Sequence, residues 1–110
     1  MKRSFLIQLA YDSIEEVIQA KNFIDKKAIL EKYPLLNESL PLTIRLYLKD
    51  EICGYYEDLA TKKVLDNIIF GAKIAAFEDK NSSPLTLSEY MNVEIEISLQ
   101  TPQGVISHRA

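Results

Sequence analysis

The chain has 110 residues, of which 47% are hydrophobic and 26% charged, with a formal net charge of -3. That length suits one domain around one core, and the balance excludes the polar, highly charged regime of disordered chains. The acidic character, with a pI near 5.1, disfavours a nucleic-acid binder, since neutralising phosphates takes clustered Lys and Arg.

In chain order, the first predicted element is a helix. From Phe5 to Ile18 the apolar residues Leu6, Leu9, Ala10, Ile14, Val17 and Ile18 recur at three- and four-residue steps, with Ser4 placed to cap the first turn. A shorter helix is predicted from Lys26 to Lys32, capped by Asp25 and stopped before Pro34, and the stretch PLLNESLP reads as loop. Leu42, Ile44, Leu46 and Leu48 then alternate with Thr43, Arg45 and Tyr47, the period of a strand with one buried face. Residues 49 to 51 turn the chain, and Ile52-Cys53-Gly54-Tyr55-Tyr56 returns as the second arm of a hairpin. Gly54 there signals a bulge or a close approach of another group to the backbone.

Thr61 is placed to cap a long helix from Lys62 to Phe77, whose stripe of Val64, Leu65, Ile68, Ile69, Ala72, Ala75 and Ala76 should cover the sheet. Gly71 inside it marks close packing, because glycine otherwise costs a helix about 1 kcal/mol relative to alanine. Thr86-Leu87-Ser88-Glu89 has capping-box spacing, predicting a turn of helix. Val93, Ile95, Ile97 and Leu99 alternate with Glu94, Glu96, Ser98 and Gln100 as a strand. After the turn ThrProGlnGly, Val105 to His108 is either a short further strand or a frayed tail. The expected fold class is α+β: a small antiparallel sheet, hairpin plus later strand, with helices packed mainly on one face, in a single domain over residues 1–110.

Catalytic chemistry finds little foothold. One His and one Cys, far apart, do not supply a zinc ligand set, and no metal or other cofactor is expected. The acidic groups Glu15-Glu16, Glu57-Asp58, Glu78-Asp79 and Glu94 with Glu96 read as solvent faces. So do the basic pairs Lys2-Arg3, Lys26-Lys27 and Lys62-Lys63, as helix ends. Cys53 is expected to be a packed, unreactive thiol, and His108 a solvated residue. No phosphate-cradling glycine loop occurs. Tyr47, Tyr55 and Tyr56 gather at the hairpin, where they serve either as platforms for a ligand or partner or as cross-strand packing. A lone cysteine, and a start, MKRSFLIQLAYDSIEEV, that meets acidic groups too soon for a secretory signal, point to the cytoplasm. No apolar run reaches the roughly 20 residues of a membrane helix.

Several segments fall together in a known order: Ala75-Ala76-Phe77-Glu78-Asp79, then Pro84-Leu85-Thr86 and Glu89, then Val93-Glu94-Ile95-Glu96-Ile97-Ser98-Leu99-Gln100-Thr101-Pro102. With Leu6-Ile7-Gln8-Leu9-Ala10 and Ser13-Ile14-Glu15-Glu16 at the start, the chain resembles the AMME chromosomal-region (AMMECR-type) domain family over residues 4 to 102. The resemblance implies helices, a hairpin and an antiparallel sheet. The family's hallmark hairpin arm reads Leu-Arg-Gly-Cys-Ile-Gly. Aligned on its glycine, Gly54 matches, Cys53 stands for the arginine and Tyr55 for the cysteine; a shifted register aligns Cys53 with the cysteine instead. The resemblance also implies a missing C-terminal portion, since the family's chains continue past the Thr-Pro step, and it links the chain to Memo-like and radical-SAM proteins of a shared pathway.

The resulting expectation is a binding or accessory module with Tyr47, Cys53, Gly54, Tyr55, Tyr56 and Glu57 as candidate site residues. The alternative is a small enzyme built on Cys53 to Asp58, with Cys53 reactive and Glu57 or Asp58 managing protons. A protein partner or a second copy is expected, with Val105 and Ile106 placed to be held in a homodimer, and neither nucleic acid nor membrane.

Overall fold

The structure, a computed structural model, describes residues 3 to 110, so Met1 and Lys2 of the first basic pair lie outside the described residues. Helix α1 spans Phe5–Gln19, and the Ser4 hydroxyl accepts the Ile7 N–H at 3.3 Å, satisfying one of the donors a helix start leaves free. Its core stripe is Ile7, Leu9, Ala10, Tyr11 and Ile14, whereas Val17, expected in the stripe, is exposed. The rotation follows from two buried polar groups further along the helix. Ser13 donates to Leu9 O at 2.7 Å, and Glu16 pairs with Lys73 at 2.9 Å. Glu16 also accepts the N–H groups of Phe23 and Ile24, at 2.8 and 2.9 Å, and so holds the loop after α1. Burial alone would push its carboxyl up, but the Ile24 N–H, Lys73 and the Phe23 N–H together hold it below the usual glutamate value. Glu16 is therefore a structural anion, not part of a solvent face.

Helix α2, Lys26–Lys32, begins where Asp25 accepts the Ala28 N–H at 3.1 Å. Pro34–Asn37, expected as loop, forms a 3-10 turn. Strands β1 (Pro41–Leu48) and β2 (Glu51–Leu59) are joined by Lys49 and Asp50, both at positive φ, 52° and 64°. Two left-handed residues give a two-residue turn whose twist matches that of the strands. Helix α3 runs Val64–Phe77 with Lys63 at its cap position, two residues later than expected. Thr61 is drawn away from the capping role: its hydroxyl and N–H both donate to Asp58, at 2.6 and 2.7 Å, because a carboxylate is the stronger acceptor.

Helix α4, Leu87–Tyr90, has the capping box of Thr86 and Glu89. Strand β3 is Glu94–Thr101 and β4 is Gly104–Arg109, so Val105 to His108 belongs to a strand, with His108 opposite Ile97. The four strands form one antiparallel sheet in the order β2-β1-β3-β4. At its centre Leu42, Ile44 and Leu46 face Leu99, Ile97 and Ile95, all buried against α1 and α3. The fold is α+β, with helices packed against one face of the sheet. Among the described residues no helix is long and apolar enough to cross a membrane.

Two glycines set the fit of α3 on the sheet. A Cβ at Gly54 would run into the carbonyl oxygen of Ala75, and one at Gly71 would meet the Tyr56 ring. Both close approaches are the kind the sequence signalled. β2 also has its bulge: Leu46 lies opposite Gly54 and Tyr47 opposite Ile52, leaving Cys53 as the extra residue.

Candidate functional site

The bulge divides the six candidate residues between two faces. Strict alternation places Gly54 and Tyr56 on one side and Cys53, Tyr55 and Glu57 on the other. The extra residue breaks that period, so Cys53 joins Gly54 and Tyr56 on the helix side, where Cys53 and Tyr56 pack against the core. Tyr47, Tyr55 and Glu57 lie on the open side. The six therefore do not form one site. Tyr56 is structural: its ring stacks edge-on with Phe70 at 5.9 Å, and its hydroxyl donates to buried Asn67 at 2.5 Å. Asn67 donates in turn to Asp58 at 2.9 Å, tying the end of β2 to the start of α3.

Cys53 has no sign of activation. Burial pushes its thiol pKa up, and the negative charge of Glu89 pushes it further, so the thiolate is disfavoured. The two carboxylates that could have served it are engaged elsewhere, Asp58 by Thr61 and Asn67, and Glu57 by Tyr55 on the opposite face. Native protein at neutral pH should react with an alkylating reagent more slowly than a free cysteine peptide. Mass spectrometry of the time course checks this, and faster modification would restore the enzyme alternative.

On the open face, one residue from each strand lines up across the sheet: Tyr55 of β2 opposite Arg45 of β1, Arg45 opposite Glu96 of β3, and Glu96 opposite Arg109 of β4. The Arg45 guanidinium sits 5.3 Å from the Tyr55 ring centre, 3.3 Å from the Thr43 hydroxyl and 3.5 Å from Glu96. Tyr47 donates its hydroxyl to Glu96 at 3.1 Å, and the Arg109 guanidinium covers the Tyr47 ring at 4.1 Å. Arg109 is also paired with Glu94 and, at 3.2 Å, with Asp50. The Tyr55 hydroxyl donates to Glu57 at 3.0 Å.

Partial burial, and then the carboxylate each one faces, raises the pKa of both Tyr47 and Tyr55, so both phenols stay protonated donors. Glu94 in turn raises that of Arg109. The row alternates aromatic, cation, anion, cation, and is held on strands, a more rigid support than loops provide. One end of this face dips into an open depression of about 370 Å³, with Thr43, Arg45 and Glu57 beside the apolar Pro41, Leu59 and Val105. A second, larger hollow of about 700 Å³ lies by the hairpin turn between Lys49, Glu51, Glu89 and Asn92.

Arg45, Glu96 and Arg109 were not among the candidates drawn from the sequence. Their signal was present in part, because Arg45 and Glu96 occupy the polar positions of two alternating strands. What the sequence does not carry is the register that sets them opposite each other.

No protein-family model matches the chain, and neither does any curated protein. Among solved structures, the uncharacterized protein PH0010 from Pyrococcus horikoshii shares the fold, with a TM-score of 0.77 and 23% identity over 93% of this chain. The match takes in 54% of the PH0010 chain, so this chain spans about half the length of that structure.

Proposed function

We propose that the chain is a binding or accessory module of the AMME chromosomal-region type, and that it takes a protein partner on the open face of its sheet. The observation that carries this reading is the row Tyr55, Arg45, Glu96 and Arg109, one residue per strand, on the face opposite the helices. Tyrosine and arginine are the residue types that most often dominate binding energy at protein interfaces, and here they are held in place by neighbours before any partner arrives. Helices, a hairpin and an antiparallel sheet agree with what the resemblance implies. The contact of Gly54 with the Ala75 carbonyl favours aligning the hallmark arm on its glycine, since that position tolerates no side chain.

The partner class follows from the same resemblance: a Memo-like or radical-SAM protein in the cytoplasm. Calorimetric titration with a purified Memo-like protein tests it. Wild type should bind, and a double substitution Arg45→Ala, Tyr55→Ala should weaken binding at least ten-fold without lowering the unfolding midpoint appreciably, as both side chains lie outside the core. A wild type that binds neither a Memo-like nor a radical-SAM protein in such titrations, or a variant that binds equally well, would end this reading.

A further inference from the structure

The two outer strands of the sheet are β2 and β4, and they are finished differently. β2 is interrupted by the bulge at Cys53, and the Asp79 carboxylate accepts its Tyr55 N–H at 3.0 Å. It also carries Glu51, Glu57 and Asp58. Bulges, covered N–H groups and charges are the devices that stop an edge strand from pairing again. β4 has no bulge, and Arg109 at its end is its one charged residue. It contains no proline, lysine or acidic residue, its register with β3 is unbroken, and among the described residues it pairs with β3 alone. Val105 on one face and Ile106 on the other are 62% and 47% exposed.

Ladder geometry shows which backbone groups this edge offers. Ala110 and Ile95 exchange both hydrogen bonds, at 3.0 and 2.9 Å. Bonded and non-bonded pairs alternate along an antiparallel ladder, so His108 with Ile97 and Ile106 with Leu99 are also bonded pairs. The N–H and C=O groups of Val105, Ser107 and Arg109 therefore point away from β3. Ser98 and Ser107, a non-bonded pair with its closer spacing, accordingly bring their hydroxyls to 2.8 Å.

We infer that this edge pairs with the same edge of a second copy of the chain, antiparallel, across a twofold axis at Ser107. That register sets Ser107 against its own copy and Val105 against Arg109 of the other chain, so every outward backbone group of the three residues finds a partner. The central side chain is small. Val105 lies along the aliphatic stem of the opposing arginine, and Ile106 comes diagonal to its own copy. Arg109 brings no unbalanced charge to the contact, being paired with Glu94 and Asp50. Because the β2 edges are closed, the assembly stops at two chains and does not grow into a fibre.

Sedimentation velocity over a dilution series reads the association. Wild type should pass from dimer to monomer on dilution. Ser107→Pro removes an N–H that β3 does not use, so it should leave the fold intact and raise the dissociation constant at least ten-fold. In a Cys53→Ser background, Ser107→Cys should form an interchain disulfide on mild oxidation. Val105→Cys should not, because four residues of strand separate each copy from its own equivalent by about 13 Å, beyond disulfide reach. If Ser107→Pro fails to fold, the two cysteine variants decide alone. A wild-type monomer at high concentration, a dimer as tight in Ser107→Pro, or equal cross-linking of both cysteine variants would overturn the inference.

Discussion

Replacing Ile95 with alanine is expected to lower the stability of the protein by about 2–5 kcal/mol. Ile95 is completely buried in β3, opposite Leu46 of β1 on one side and bonded through its backbone to Ala110 on the other. Removing three carbons there loses their transfer free energy and leaves a void between the sheet and the helices packed on it, which can close only in part. Its neighbour Glu94 points to the open face, where an exposed, solvent-screened ion pair with Arg109 contributes little. Glu94→Gln should therefore shift the urea unfolding midpoint only slightly. Equal shifts for the two substitutions would mean that the assigned facing of β3 is wrong.

Gly54→Ala should be nearly as damaging as a large core truncation, although it adds only a methyl group. The new Cβ would be driven into the Ala75 carbonyl oxygen, and that atom belongs to a helix backbone with no rotamer to change. Either α3 lifts from the sheet or the bulge flattens, and overpacking of this kind costs about 1–3 kcal/mol, with a rigid neighbour placing it at the upper end. Gly71→Ala makes a useful comparison, since the group it meets is the Tyr56 ring, a side chain able to tilt within its pocket. Urea melts should rank Gly54→Ala below Gly71→Ala in stability. The reverse order would mean that the strand and helix are less tightly apposed at Ala75 than this account requires.

Much of the fold was legible in the sequence because local chemistry decided it. Ser4, Asp25 and the Thr86–Glu89 box each cap the helix start they mark, and the alternation of β1 and β3 gives the correct buried face. Errors arose where another partner, near or far in sequence, competed with a local rule. Thr61 has capping chemistry, but Asp58 claims it; Glu16 sits in an acidic pair that looks solvated, but Lys73 reaches it from a helix 57 residues away. The candidate site was half legible for the same reason. Tyr47, Tyr55 and Glu57 do share a surface, while Cys53 is turned inward by a bulge whose position Gly54 only hinted at. Arg109 joins Tyr47 through strand pairing that no local pattern encodes.

Strand order also sets the sequence in which the sheet can assemble. The outer pairs, β1 with β2 and β3 with β4, are hairpins closed by two-residue turns, and contacts of that kind form within microseconds. The central seam between β1 and β3 joins segments about fifty residues apart, with α3 and α4 between them. The entropy of closing that span must be met before Ile44 and Ile97 gain anything from touching. Until then each hairpin keeps an inner edge as bare as the outer edge of β4. Pairing of β1 with β3 is the event that ends this exposure, so the slowest and most aggregation-prone step of folding is expected at the seam most deeply hidden in the folded protein.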